Sequence, residues 1–343
     1  MEPSAPSSLL RALTTWNTWG VPFASPLLFH RFGKWRAFHD QQLLKFLGED
    51  RGDRDLLVCC FQEVWSFPRG PLMECTARMD PDRVTAKWER FVLILGILCR
   101  LFSCCTWDAA QKLFEKREPN ASRIEYAVVV GNKGKSLAWN SLVDSGLCIL
   151  ATQAPADTGF RAYRNYPDGL HEERLANKGM LWAFWGPSRT SHQSSQSSQS
   201  SQQGLLVLNT HLSTRGAVKR RQLQELGSLT AELRSRLLTS VAVLEVYLCG
   251  DFNLDPKWDT DFEAWYKELG FQRITTGKPT NAGQNTALDH IFAWRSDDQS
   301  VPHLVSEPVR PWVQKGRFTT CACERDDISD HCWQGMAVPR QPK

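Results

Sequence analysis

Several stretches of the chain repeat one pattern, in which a short apolar run ends abruptly in polar residues. The apolar runs at 56–61, 205–208 and 243–248 are followed by Gln62-Glu63, by Asn209-Thr210-His211 and by Gly250-Asp251-Phe252-Asn253. Runs of about four to eight apolar residues bounded by turn residues predict buried β-strands. Polar residues just beyond such strands predict a functional edge of the sheet, because loops held by a rigid scaffold often carry function.

Helical periodicity occurs between these strands. The segment 218–238 carries apolar residues at spacings that make one face of a helix, namely Leu223, Leu226, Leu233 and Leu237. The segment 34–47 is also predicted to be helical, and its apolar side chains that could face a core are Trp35, Phe38, Leu43 and Phe46.

Two insertions interrupt the pattern. Residues 68–119 are predicted to be partly helical and include the apolar run 91–102. Residues 188–203 are rich in Ser and Gln, so they cannot bury enough surface to offset their ordering entropy and are predicted to be a disordered hairpin loop. Because no internal repeat and no domain linker is found, we expect one domain that spans residues 1–343.

Composition fits a folded protein but does not select a partner. The chain has 343 residues, of which 42% are hydrophobic and 23% charged, which is typical of a globular protein with a core. Its 41 basic and 37 acidic residues leave a net charge of +4. An excess this small neither predicts nucleic-acid binding nor excludes a local basic patch.

The cysteines and the apolar runs indicate the cellular location of the protein and whether it crosses a membrane. Four of the eleven cysteines, Cys59, Cys60, Cys148 and Cys249, lie inside apolar runs, which predicts reduced, structural thiols in a cytoplasmic protein. Residues 1–11 lack the pattern of a secretory signal. The run 91–102 contains Arg100 and is shorter than the roughly 20 residues that cross a bilayer. We therefore expect no transmembrane span, with 91–102 either packed or lying on a membrane surface.

Six short segments carry the candidate chemistry. They are Trp16-Asn17-Thr18-Trp19-Gly20, Gln62-Glu63-Val64-Trp65, Asn209-Thr210-His211-Leu212, Gly250-Asp251-Phe252-Asn253-Leu254-Asp255, Leu288-Asp289-His290-Ile291-Phe292 and Ser329-Asp330-His331. Singly, each is explained as a solvated strand end, a packed histidine or a turn. Together they supply what metal-assisted phosphodiester hydrolysis needs: oxygen ligands for a divalent cation, a group that activates water and donors for the developing charge.

The ordered set resembles the endonuclease/exonuclease/phosphatase superfamily, whose fold is deoxyribonuclease-I-like. The resemblance runs from about residue 13 to 335 and implies a four-layered α/β sandwich of two packed mixed β-sheets flanked by helices. Further details resemble neutral sphingomyelinases. They are Trp-Asn-Thr-Trp-Gly-Val-Pro at 16–22, Gln-Glu-Val-Trp at 62–65, Ser-Gly-Leu-Cys-Ile-Leu at 145–150 and Leu-Ala-Asn-Lys-Gly at 175–179. The stretch 13–16 departs from the pattern, because it is less apolar than a central strand should be.

The resemblance also implies a metal site. Glu63 would be the main ligand of Mg²⁺, or of Mn²⁺ in its place, with Asn17 beside it and Asp330 as an addition to the metal shell. So few protein ligands suffice, because Mg²⁺ favours one or two carboxylates together with waters and substrate phosphate. Lys178 would lie near the site and pair with a phosphate.

The remaining roles implied by the resemblance concern proton transfer and charge. His331 would be the general base, and Asp289 would orient its ring. His211 and Asn253 would hold phosphate oxygens. Asp251 would position the attacking water or share the role of base, and the sequence does not separate these two possibilities.

Three functions stay open on the sequence. The first is hydrolysis of sphingomyelin to ceramide and phosphocholine at a membrane surface by a cytoplasmic, peripherally bound enzyme. The second is a nuclease or a phosphatase of a soluble phosphoester, which would need basic and aromatic side chains along a groove or further basic residues at the site. The third is a catalytically silent binding module, which the presence of all the site residues disfavours.

Overall fold

The computed structural model describes residues 8–17, 39–48, 55–63, 127–130, 145–164, 178–186, 203–281, 284–298, 303–309, 312–314, 325–327 and 331–339. The insertions 68–119 and 188–203, with the run 91–102 and the disorder expected of the Ser/Gln tract, lie outside these residues. Trp35, Phe38 and Asp330 also lie outside them. What was expected of these segments, and of a single domain, stays a prediction.

The described residues form strands and helices in the following chain order. The strands are β1 (Leu10–Asn17), β2 (Leu56–Gln62), β3 (Ala127–Val130), β4 (Cys148–Ala151), β5 (Asp157–Ala162), β6 (Gly179–Trp185), β7 (Gln203–His211), β8 (Val243–Asp251), β9 (Gln272–Arg273), β10 (Asp289–Arg295), β11 (Leu304–Val305), β12 (Trp312–Gln314), β13 (Arg325–Asp327) and β14 (Gln334–Ala337). The helices are α1 at residues 39–47, α2 (Gly216–Leu238) and α3 (Thr260–Glu268).

Two six-stranded sheets share one design. The first has the order β11-β14-β1-β2-β4-β3, and the second has the order β5-β6-β7-β8-β10-β9. Each sheet is mixed, because its central pair is parallel (β1 with β2, and β7 with β8) while the flanking pairs are antiparallel. In addition, β12 and β13 form a small antiparallel pair. Since parallel strands end at the same edge of a sheet, each central pair brings its final residues together.

Three apolar clusters define the layers. The cluster between the sheets takes alternate residues from both, such as Val58 and Cys60 of β2 and Tyr247 and Cys249 of β8. The outer face of the second sheet packs against α2 and α3, and that of the first sheet packs against α1, where Leu43 is buried. This helix–sheet–sheet–helix order is the predicted four-layered sandwich.

The predicted helices and buried cysteines are confirmed within the described residues. Helix α2 begins at Gly216 and buries the predicted leucine face. Residues 39–47 of the predicted segment 34–47 are helical, and Phe46 packs against the core. The four cysteines of the apolar runs are buried and form no disulfide. None of the described helices combines the length and apolarity that crossing a bilayer requires.

Strand β1 occupies a central position despite its polar residues. It lies between β14 and β2, and Thr14 and Thr15 are buried within it. The Thr14 hydroxyl lies 2.9 Å from His39 Nε2 of α1, and the Thr15 hydroxyl accepts a hydrogen bond from Gln62 Nε2 at 3.2 Å. A buried polar group is tolerated when it is hydrogen-bonded. The low apolar content of 13–16 therefore reflects partners in neighbouring elements.

Candidate active site

Both sheets direct polar side chains to one edge of the sandwich. Asn17 ends β1 and Glu63 follows β2, while His211 ends β7 and Asp251 ends β8. The antiparallel strand β10 begins at the same edge, where Asp289 pairs in register with Asp251. His331 lies shortly before β14, and its backbone carbonyl accepts a hydrogen bond from Trp16 Nε1 at 3.1 Å. Residues far apart in sequence thus meet at one place.

The strands run further than the apolar runs predicted. Asn209, Thr210 and His211 belong to β7, and Gly250 and Asp251 belong to β8. These residues pair with the neighbouring strand and are buried, so the ladder continues through them. The predicted clustering of these polar side chains at one edge is confirmed, but many of them lie on strands and not on loops.

Two carboxylates and one amide form the centre of this edge. Asn17 Nδ2 donates to Asp251 Oδ2 at 2.8 Å and to Glu63 Oε1 at 3.3 Å. His211 Nε2 lies 3.6 Å from that Asp251 oxygen and 3.8 Å from that Glu63 oxygen. Glu63 also adopts a positive φ of 57°, which is uncommon for a residue with a side chain. The two acidic groups are thus held close together.

A histidine–carboxylate pair lies beside this centre. His331 Nδ1 is 2.7 Å from Asp289 Oδ2, and both side chains are buried. The other ring nitrogen, Nε2, lies 3.8 Å from Asp251 Oδ2 and 3.1 Å from Asn281 Nδ2. A carboxylate at one ring nitrogen fixes the orientation of an imidazole and stabilises its protonated form. The pair therefore has the geometry of a general base with its orienting group.

Burial shifts the pKa values of two groups at this edge. The pKa of Asp251 is raised to about 7, because burial and the charge of Asp289 outweigh the lowering effects of His331 and of the hydrogen bonds from Asn17 and the Asn253 N–H. The pKa of His211 is held well below its usual value, mainly by burial and also by the charge of Lys178 and that of His331 when it is protonated. An acidic group whose negative charge is disfavoured by burial is a group that a cation would stabilise.

The predicted phosphate-binding residues lie next to one another. Lys178 is buried, with Nζ 3.2 Å from His211 Nε2 and donating to the Leu212 carbonyl at 2.8 Å. Asn253 Nδ2 donates to the same carbonyl at 2.9 Å. The backbone of Asn253 has a φ of 52°, and its N–H donates to Asp251 Oδ1 at 2.8 Å. Lys178, His211 and Asn253 are thus assembled around Leu212, at the rim of the carboxylate cluster.

The donor set fits a hard divalent cation. Glu63 Oε1 and Asp251 Oδ2 lie close together, because both accept hydrogen bonds from Asn17 Nδ2 and both approach His211 Nε2. Within the described residues, Asp289 Oδ1 is buried with no hydrogen-bond partner. Ligand atoms of Asp251, Asp289 and His331 also lie within 4.8 Å of one another. However, the 2.7 Å contact of His331 with Asp289 already forms a hydrogen-bonded pair. The carboxylates of Glu63 and Asp251, beside Asn17, are therefore the better match to the oxygen donors that Mg²⁺ prefers.

Two buried amides align the sheets beneath the site. Asn209 Nδ2 in the second sheet donates to the carbonyls of Phe61 and Cys148 in the first, at 2.9 and 3.0 Å. Its Oδ1 accepts from Gln62 Nε2 at 2.7 Å. Each amide satisfies buried polar groups across the interface between the sheets. These hydrogen bonds fix the position of one sheet relative to the other beneath the site.

Sequence reasoning missed Thr280 and Asn281. Thr280 Oγ1 accepts the backbone N–H groups of Leu288 and Asp289, both at 3.0 Å, and so fixes the start of β10. Asn281 contacts the ring of His331. Both residues lie outside the apolar strand pattern, and a Thr-Asn pair in a polar stretch reads as a turn. Asn209 and Gln62 lay inside recognised motifs, but their role between the sheets depends on contacts that spacing does not reveal.

The two packed mixed sheets with their flanking helices form the deoxyribonuclease-I-like fold that the motifs predicted. Solved structures agree with this. Beta toxin from Staphylococcus aureus matches with a TM-score of 0.54 and 14% identity, over 96% of this chain and 100% of the toxin. Sphingomyelinase C from Streptomyces griseocarneus matches with a TM-score of 0.53 and 14% identity, over 96% and 99% of the two chains.

A third structure concerns the metal. A variant of the same beta toxin, crystallised with bound magnesium ions, matches with a TM-score of 0.53 and 14% identity, over 96% of this chain and 99% of the toxin. No protein-family model matches the sequence, and no curated protein matches it at significant similarity. At this identity the likeness establishes the fold.

Proposed function

We propose that the protein is a divalent-metal-dependent phosphodiesterase whose substrate is a sphingomyelin-type phospholipid. One observation carries this proposal: the Asp289–His331 pair lies against the Glu63–Asp251 carboxylates, so a proton acceptor and oxygen ligands for a cation share one edge of the sandwich. The likeness of the fold to sphingomyelinase C supports the choice of substrate.

Each residue has a distinct part in the proposed hydrolysis. Glu63 and Asn17 would hold Mg²⁺, with Asp330 as a further ligand. When bound, the ion supplies Lewis-acid polarisation of a phosphoryl oxygen and offsets its negative charge. His331 takes a proton from the attacking water at Nε2, while Asp289 Oδ2 accepts the Nδ1–H and stabilises the imidazolium.

Donors at the rim complete the arrangement. Lys178 Nζ, His211 and Asn253 lie where negative charge builds on the phosphate oxygens, and fixed donors in a buried site stabilise such charge strongly. Asp251 accepts hydrogen bonds from Asn17 Nδ2 and from the Asn253 N–H. Asp251 is therefore held as an acceptor that positions the water.

An exposed tryptophan supports a lipid surface as the partner. Trp258 is 70% exposed and follows Asp251 and Asn253 in the loop that leaves β8. The Lys257 ammonium lies 4.7 Å from the centre of the indole ring. Asp255 holds this loop by accepting the backbone N–H groups of Lys257 and Ala287. Tryptophan and lysine together suit the interface of a bilayer, where an aromatic ring meets charged headgroups.

A substrate panel tests the proposed reaction. Sphingomyelin in mixed micelles, lyso-phospholipids, plain and abasic DNA, RNA and inositol phosphates would be assayed with Mg²⁺ and with a chelator. We expect release of phosphocholine from sphingomyelin, loss of activity with the chelator and recovery when Mg²⁺ is restored. Faster turnover of a nucleic acid or an inositol phosphate would reject the lipid assignment while keeping the phosphodiester chemistry.

Glu63→Gln isolates the metal requirement. The variant keeps the shape of the side chain but removes the charge that binds the cation, so activity should be abolished at Mg²⁺ concentrations up to about millimolar. Glu232→Gln is the matched control, because Glu232 lies on α2 in an exposed ion pair with Arg161. Near-normal turnover in Glu63→Gln, with the unfolding midpoint of the native chain, would refute the metal role.

Trp258→Ala tests whether the loop after β8 contacts the lipid surface. The variant should bind sphingomyelin vesicles about 10-fold or more weakly, because a Trp at a membrane interface buries a large apolar ring. Its turnover of a monomeric short-chain substrate should stay unchanged. Leu304→Ala is the control, since Leu304 is 57% exposed and pairs with Ala337, at the far end of β14 from His331. Equal vesicle binding by Trp258→Ala and the native chain would exclude this loop as the contact.

A further inference from the structure

The ring of His331 has a second partner besides Asp289. Asn281 Nδ2 lies 3.1 Å from His331 Nε2, and both side chains are buried. The backbones of Asn281 and His331 also form a β-bridge, so the two residues are held at a fixed separation. Each ring nitrogen of His331 therefore faces a defined group, and the identity of those groups decides where the ring carries its proton.

The orientation of the Asn281 amide follows from its other contact. Asn281 Oδ1 accepts the backbone N–H of Gln284 at 2.9 Å. A backbone N–H can only donate, so the oxygen of the amide must face Gln284 and the NH₂ group must face the histidine. The Asn281 backbone is itself fixed, because its N–H donates to Thr286 at 2.9 Å. The amide cannot exchange its two ends without losing the contact with Gln284.

The state of the imidazole follows from the two partners together. The Asn281 NH₂ group donates, so His331 Nε2 must be an acceptor and carries no proton. The Asp289 carboxylate accepts, so His331 Nδ1 carries the proton and donates at 2.7 Å. The resting ring is thus neutral, with its lone pair on Nε2, which is the nitrogen that lies 3.8 Å from Asp251 Oδ2.

We propose that Asn281 is a positioning residue that holds His331 in the neutral tautomer with an unprotonated Nε2. The consequence for catalysis rests on the proposed function: a general base must present a lone pair to the attacking water, and Asn281 keeps that lone pair on the nitrogen at the metal-binding edge. It also holds the plane of the ring through a second hydrogen bond, which Asp289 alone does not do. The amide yields Nε2 to the water when substrate binds.

Nuclear magnetic resonance of the full chain tests the tautomer without any substrate. Histidine labelled with ¹⁵N would be observed at about pH 8, above the usual pKa of histidine, and His331→Gln would identify the signals of His331 among the eight histidines. We expect a protonated Nδ1 and an unprotonated Nε2 that accepts a hydrogen bond. A protonated Nε2 in the native chain would overturn the proposal.

Two substitutions at Asn281 distinguish the effect of its hydrogen-bond donor from the effect of its side-chain shape. Asn281→Ala should move the Nε2 signal to that of a nitrogen without a hydrogen bond. Asn281→Asp keeps the oxygen that faces Gln284 but replaces the donor with an acceptor, so Nε2 should become protonated. Gln284→Ala is the matched control, because it leaves the backbone N–H in place and should leave the His331 signals unchanged. Native signals in both Asn281 variants would also overturn the proposal.

The kinetic readout distinguishes positioning from a structural role. Asn281→Ala should lower kcat about 10- to 100-fold with KM nearly unchanged, because a displaced base weakens the chemical step and not substrate binding. An unchanged kcat would refute the positioning role. If no substrate of the panel is hydrolysed by the native chain, the proposed function fails, and the resonance measurement still decides the tautomer.

Discussion

Asp251 and His331 are both within reach of a water at the site, and their hydrogen bonds separate their roles. Both oxygens of Asp251 already accept hydrogen bonds, from Asn17 Nδ2 and from the Asn253 N–H. His331 has the arrangement of a base, with a buried carboxylate on Nδ1. The carboxylate on Nδ1 therefore favours His331 over Asp251 as the proposed proton acceptor.

His331→Ala should lower kcat by about 10²- to 10⁴-fold, the usual contribution of general base catalysis. Added imidazole should restore part of the activity, because a free base can enter the space left by the ring. Asp251→Ala should also be impaired, but imidazole should not restore it. Rescue of Asp251→Ala and not of His331→Ala would exchange the two roles.

Much of the site is formed by strand ends, and Gly250 shows how closely β7 and β8 must approach each other there. Gly250 has a φ of 141°, and a Cβ at this position would lie 2.0 Å from the Thr210 carbonyl oxygen of β7. Only glycine allows β7 and β8 to run together up to His211 and Asp251. The backbone between the two parallel strands is therefore part of the site's construction.

Gly250→Ala should lower the free energy of unfolding by at least about 3 kcal/mol, because it combines an unfavourable φ with a clash against backbone. Gly216→Ala at the start of α2 is the matched control, since a Cβ there meets nothing within 4 Å. Urea unfolding of the two variants provides the comparison. Equal stability of the two variants would show that β7 and β8 separate at little cost.

Apolar runs and motif order predicted the strands that carry the site, but not their full length. Runs such as 243–248 located β8 correctly, yet the strand continues to Asp251. A polar residue extends a strand when its neighbour satisfies it, and such a neighbour is distant in sequence. The same reason hid Asn281, whose importance depends on a ring 50 positions away. The residues proposed for the metal and for the base were predicted from the sequence because they occur in an ordered set of motifs.

On the scale of the whole molecule, two buried histidines contribute a loss of stability in acid, opposed by Asp251, whose pKa is raised. His290 lies among Phe252, Phe262 and Phe292, and burial lowers its pKa to about 4. Burial likewise lowers the pKa of His303 to about 4. Both rings are neutral in the folded protein, whereas in the unfolded chain they bind protons below about pH 6.5. Their contribution to stability is therefore present above pH 6.5 and lost as the pH falls towards 4.

Urea unfolding as a function of pH should reveal this loss. Between about pH 6.5 and 4, each of the two histidines should reduce the free energy of unfolding by up to about 1.4 kcal/mol per pH unit. His303→Gln removes one titrating group and should make the decline less steep, with little effect above pH 7. The same decline in the variant and in the native chain would assign the acid sensitivity to other groups.

The pairing of β1 with β14 joins segments that are far apart in the chain, with Thr14 beside Gly335. During synthesis, β1 leaves the ribosome well before β14, so one of its sides stays open until β14 has been translated. An open strand edge invites pairing with other chains, so the nascent protein depends on protection there. His331, which immediately precedes that late segment, arrives at the same moment. On the proposed function, the nascent chain therefore gains its proton acceptor only when β14 becomes available to pair with β1.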